Sequence, residues 1–172
     1  MRLRYLVFLA VALIFSTASN AQTGIYGTVT GGHLGDMKPP YPYTGSYGFW
    51  TAGGTFGLYN DFGKFGPIHL GLDARGSILN THNNKLNSGL GGVRVAFKPP
   101  VLPLRPYLQG SIGVGSTANA TGLEYQALGG LDVTFFPHVD WRVVEVGGGA
   151  LHVNGNNLGL FTVSTGVVFR IR

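Results

Sequence analysis

The sequence predicts an all-β chain, an eight-stranded antiparallel up-and-down transmembrane β-barrel, and three observations point there. First, residues 124–136 (EYQALGGLDVTFF) alternate: Tyr125, Ala127, Gly129, Leu131, Val133 and Phe135 share one face, and Glu124, Gln126, Gly130, Asp132 and Thr134 share the other. That period of two belongs to a strand, and it recurs along the chain. Second, the 29 glycines fall mainly inside apolar segments, where each would weaken a helix by roughly 1 kcal/mol. Third, the chain opens with an export pattern: Arg2 and Arg4, an apolar run from Tyr5 to Phe15, then Ser19, Asn20 and Ala21. Residues 1–21 are therefore expected to be a cleaved signal peptide, since a spanning helix needs roughly 17 to 25 apolar residues. Residues 22–172 are expected to form a single barrel domain.

Turn-forming residues divide this domain into eight expected strands, 23–30, 46–59, 67–78, 88–98, 106–116, 124–136, 141–151 and 158–171. Most approach the roughly 9 to 11 residues with which a tilted strand crosses a bilayer. The first precedes the longest connection, a Gly- and Pro-rich segment. The second carries Tyr47, Phe49, Trp50, Phe56 and Tyr59 on both parities. In the third, Ile68, Leu70, Leu72 and Ala74 oppose His69, Gly71, Asp73, Arg75 and Ser77. The fourth sets Val93, Val95 and Phe97 against Gly92, Arg94 and Ala96, and the fifth sets Leu108, Ile112 and Val114 against Tyr107, Gln109 and Ser111. The sixth is the alternating segment above. In the seventh, Arg142 and Glu145 fall on opposite parities unless a bulge intervenes. The eighth places Phe161, Val163, Val167, Phe169 and Ile171 opposite Thr162, Ser164 and Gly166.

An even strand count closes such a barrel with both termini on one side, expected to be the periplasmic side, so that the longest connection faces outward. Aromatic residues gather near strand ends, at Tyr41, Tyr43, Tyr47, Phe62, Phe65, Phe97, Tyr107, Phe135, Phe136, Trp141 and Phe169, in the manner of interfacial girdles. Twelve Lys and Arg against seven Asp and Glu give +5, or +3 without Arg2 and Arg4, too mild a charge to suggest nucleic acid as a partner. The chain has no cysteine, which excludes a disulfide framework and an N-terminal lipidated cysteine.

With its dyad strands, the 130–149 hairpin and the last strand, the chain resembles the small eight-stranded outer-membrane barrels, such as the OmpA barrel domain and the OmpX-like proteins. The resemblance covers residues 22–172 and implies residence in the outer membrane, contact with its lipid and a monomeric state. It also implies recognition by the barrel-insertion machinery through Ser164, Gly166, Phe169 and Ile171. The chain departs from the commonest pattern in adding Arg170, Ile171 and Arg172 around and after Phe169.

Inward parity is expected to gather Asp73, Arg75, Arg94, Asp132 and Glu145 into an ion-pair network filling the lumen. The first outward loop, with Met37, Pro39, Pro40, Tyr41 and Tyr43, is a candidate surface for a partner. Five histidines lie scattered without ligand spacing, so neither a metal nor another cofactor is expected. Ser77, His69 and Asp73 share a face but are strung too far along one strand for a catalytic relay, and no enzymatic activity is expected. The expected role is structural or surface interaction. Two alternatives remain at this stage: a narrow channel for ions or small hydrophobic solutes, and a secreted soluble barrel with reversed face parity. The charges flanked by apolar neighbours argue against the second.

Overall fold

A computed structural model describes residues 22–36, 48–82, 84–118, 120–153 and 155–171. They form eight strands: β1 (Gln22–Asp36), β2 (Gly48–Phe65), β3 (Ile68–Thr81), β4 (Asn84–Phe97), β5 (Leu104–Thr117), β6 (Thr121–Phe136), β7 (Val139–Val153) and β8 (Asn156–Ile171). Each pairs antiparallel with its sequence neighbour, and β1 closes the barrel against β8, with Thr23 opposite Ile171. The signal-peptide segment and the outward-loop residues Met37, Pro39, Pro40, Tyr41 and Tyr43 lie outside the described residues, as does Tyr47.

The strands run further than turn chemistry suggests. Residues 79–87, expected as a loop, instead extend β3 to Thr81 and begin β4 at Asn84. Asn and Thr there are rim residues of continuing strands, because a barrel ladder satisfies backbone groups beyond the membrane as well as inside it. Among the described residues, four in tight turns adopt positive φ: Gly66, His82, His138 and Gly155. Two of the five histidines thus occupy turn positions.

Outside, the wall is apolar. Ile68, Leu72 and Ile78 on β3 are exposed, and the outward series turns polar at Asn80; on β4, Val93, Val95 and Phe97 are exposed, with Lys85 and Asn87 towards the other rim. From Ile68 to Ile78, ten steps of about 3.3 Å tilted by about 40° span roughly 25 Å, the height of the lipid-facing band of an outer-membrane barrel. Water would face a continuous apolar belt on a soluble protein of this shape, whereas a bilayer matches it.

Parity puts polar side chains inside, with one irregularity that makes this possible in β7. The register shifts between Arg142 and Glu145 against β8, and Val143 is the extra residue against β6. This bulge restores Arg142 and Glu145 to the same side, both fully buried. The Thr165 hydroxyl donates to the Arg142 carbonyl at 3.0 Å and braces the bulge.

Candidate functional site in the barrel interior

The lumen is filled in zones. In the half nearer the termini, three arginines meet three carboxylates. Arg75 donates through Nε to Asp73 at 3.1 Å and through Nη1 to Glu145 at 2.9 Å. Arg142 donates to Asp132 at 2.9 Å and to Glu145 at 3.2 Å, and Arg94 donates to Asp132 at 3.0 Å. The structure therefore brings Asp73, Arg75, Arg94, Asp132 and Glu145 into one cluster, joined by Arg142. The charges cancel within it, and each guanidinium offers the geometry that matches carboxylates.

Three tyrosines complete the cluster. The Tyr26 hydroxyl donates to Asp73 at 3.0 Å, and the Tyr107 hydroxyl donates to Glu145. Arg94 lies over the rings of Tyr59 and Tyr107, 4.0 and 4.1 Å from their centroids; Arg142 lies over Tyr26 and Tyr107 at 4.3 and 4.8 Å. Ring and guanidinium thus alternate through the lumen, an arrangement worth about 2 kcal/mol per contact when desolvated. Arg94 Nε and Nη1 are buried without a hydrogen-bond partner, and the two rings beside the guanidinium offset part of that cost through its charge. Gln109 links the parts, donating to Asp73 at 2.8 Å and accepting from Arg75 at 3.0 Å.

Glycine makes room for these rings. Tyr26, Tyr59 and Tyr107 stand directly opposite Gly57, Gly24 and Gly130 on neighbouring strands. A Cβ on any of the three glycines would collide with the facing ring. The rings occupy what would otherwise be gaps beside inward glycines, in the manner of aromatic rescue. Tyr107, grouped above with the girdle aromatics, is an interior residue, 3% exposed. Its position near a strand end gives no clue to direction; its parity with Gln109 does.

At the terminal rim, Lys98 Nζ lies 2.6 Å from Asp61 and 2.6 Å from Gln22 Oε1, while Asp140 pairs with Arg105 at 3.2 Å and Arg170 at 3.0 Å. Burial draws the Lys98 ammonium below its ordinary pKa, and Asp61 opposes that shift. Towards the loop end comes a belt of hydroxyls: Thr30 contacts Thr55 and Ser164 at 2.9 Å each, and Thr55 contacts Ser77 at 2.8 Å. Glu124 accepts from Ser88 and Gln126, both neutral, at 2.6 Å. A void of about 10 Å³ sits within this belt, about the space of one water.

Above the belt the lumen becomes apolar. Leu34, Leu79, Leu86, Leu151, Val153 and Leu160 form a buried cluster, with Phe49, Ala120 and Leu158 packed against it. The sequence reading did not identify this cap, because Leu79 and Leu86 fell in the expected loop.

On the third strand, the Ser77 hydroxyl engages Thr55, and Asp73 is taken up by Tyr26, Arg75 and Gln109. Among the described residues, no group of three His, Asp or Glu is placed to hold a metal. On β8, Ser164 faces inward, while Phe169 and Ile171 face outward and are exposed.

No protein-family model matches the sequence, and no curated protein is similar to it. Solved structures do match. Neisserial surface protein A shares 13% identity at a TM-score of 0.55, covering 87% of this chain and 97% of that one. The outer membrane protein OprG from Pseudomonas aeruginosa shares 8% identity at 0.54, covering 88% and 96%. A de novo designed transmembrane β-barrel shares 19% at 0.52, covering 87% and 95%. At such identities the likeness is one of fold, and the designed barrel makes the point, having been built rather than inherited. The chain has the closed eight-stranded architecture of the small outer-membrane barrels.

Proposed function

We propose that this chain, built on the fold of the small outer-membrane barrels, is an outer-membrane protein whose barrel is a filled anchor for a surface role, without conduction or catalysis. The observation that carries the reading is the packed lumen. A solute crossing the barrel would have to part the arginine–carboxylate–tyrosine column and then a leucine cap, and the void between them holds about one water. Separating the buried ion pairs would leave charges unpaired at several kcal/mol each.

In this reading residues 1–21 direct export and are removed. Ser164, Gly166, Phe169 and Ile171 present the last strand to the insertion machinery, and the monomeric barrel contacts outer-membrane lipid along its apolar wall. With the termini in the periplasm, the connection between β1 and β2 lies on the cell surface. Met37, Pro39, Pro40, Tyr41 and Tyr43 then offer a proline-stiffened aromatic segment to a partner.

Conductance in a planar lipid bilayer tests the proposal. A flat trace under applied voltage is expected after insertion is verified; reproducible unitary steps that scale with salt would overturn it in favour of a channel.

A further inference from the structure

We propose that the apolar segment 99–103 (PPVLP), between β4 and β5, is a wedge sunk into the inner leaflet of the outer membrane, with a phospholipid acyl chain seated in the groove beside it. This inference rests on the membrane-barrel reading above. The other two connections at the terminal end are the tight turns at Gly66 and Pro67 and at Pro137 and His138. Only this one is extended, and its composition is unusual for a loop facing water.

Val101 is 88% exposed, the highest value among the large apolar side chains described, and Leu102 is 56% exposed. The flanking cations do not offset this. Lys98 turns to Asp61 and Gln22, and Arg105 turns to Asp140, so neither head group accompanies the loop outward. The segment is also held in place. The Lys98 N–H donates to the Pro67 carbonyl at 2.7 Å and the Thr134 N–H donates to the Pro103 carbonyl at 2.9 Å, tying the two ends to neighbouring hairpins. Pro99, Pro100 and Pro103 fix their own φ, which limits collapse of the loop onto itself.

Apolar surface held open in this way is stabilised by leaving water. The occupant follows from continuity with the lipid-facing wall. Phe97 and Leu104, at the two strand ends, are exposed, and Leu108 carries the apolar face upward. Beside the loop, an apolar groove of about 490 Å³ is lined by Ile68, Val95, Phe97, Pro106, Leu108 and Gly129. Residues 99–103 supply no side-chain charge or hydrogen-bonding group with which to select a protein partner. Acyl chains require only apolar surface and a place to lie.

Fluorescence quenching tests this in the full mature chain. The two native tryptophans are replaced (Trp50→Phe, Trp141→Phe), and single probes are introduced by Val101→Trp or, on the lipid-facing wall, Val93→Trp. Each protein is reconstituted in phosphatidylcholine vesicles with acyl chains brominated near the headgroup or near the bilayer centre, and folding is verified by heat-dependent gel mobility. The Val101→Trp probe is expected to lose most of its emission to the shallow bromines and to resist aqueous acrylamide, while Val93→Trp responds to the deep bromines. Quenching at 93 with an acrylamide-accessible, bromine-insensitive probe at 101 would overturn the wedge and leave the barrel reading intact. Insensitivity of both probes to bromine would overturn the membrane reading and the wedge with it. Leu102→Trp provides the same readout should Val101→Trp fail to fold.

Discussion

Asp132 holds two guanidiniums, those of Arg94 and Arg142, on one carboxylate. Its pairing stabilises the cluster less through net Coulomb energy than by preventing unpaired buried charge, because desolvation offsets most of the attraction. Asp132→Ala leaves Arg94 without its carboxylate and is expected to lower unfolding stability by about 3–5 kcal/mol. Urea unfolding of the refolded protein in detergent micelles measures it; an unchanged midpoint would show that the cluster is not held by its charges. The alternation of β3 and β6 puts Asp73, Arg75 and Asp132 on the polar face in the sequence itself. Which carboxylate meets which arginine was not legible there. Arg75 reaches Glu145 from β3 to β7, two strands that do not pair, and such contacts depend on barrel stagger rather than on any local pattern. Tyr26 and Tyr59 were missed for a related reason: an aromatic residue in a strand suits either a lipid face or a lumen, and only the glycine opposite decides between them.

At the scale of the element, β7 carries one extra residue. Arg142 and Glu145 lie three apart, and both point inward because Val143 is taken up as the unpaired residue of the bulge between them. Deletion of Val143 would leave Arg142 and Glu145 two residues apart, on one face of a regular strand, so both are expected to stay inward and stability to change by no more than about 1 kcal/mol. A urea midpoint close to that of the parent protein is the expected reading; a large drop would mean that the bulge itself, braced by Thr165, is needed to hold the two charges in the cluster. The odd spacing of the two charges is visible in the sequence, so the need for a bulge was legible while its position was not. Strand ends were the least legible feature. Asn80, Thr81, Asn84 and Asn87 have the composition of a loop but pair residue for residue at the rim, Asn80 with Lys85 and Thr81 with Asn84. Composition reports a polar environment, and the outer rim of a barrel is as polar as a loop.

Across the whole molecule, fold and filling are distinct properties. The fold was legible because the dyad pattern, the abundant glycine and the export pattern of residues 1–21 all favour strands in a membrane. The filling was not, since it arises where eight inward faces converge: charges and tyrosines near the termini, hydroxyls across the middle, leucines under the loops. The proposed anchor role rests on this zoned interior, and a flat conductance trace is the outcome it predicts. Everything else rests on the barrel being closed and embedded in a membrane. The most direct test is gel mobility of protein extracted from outer membranes, run with and without boiling. A compact, faster band that converts to the full-length position on heating is the predicted result. An identical position under both conditions, with the protein soluble in plain buffer, would contradict the membrane barrel itself.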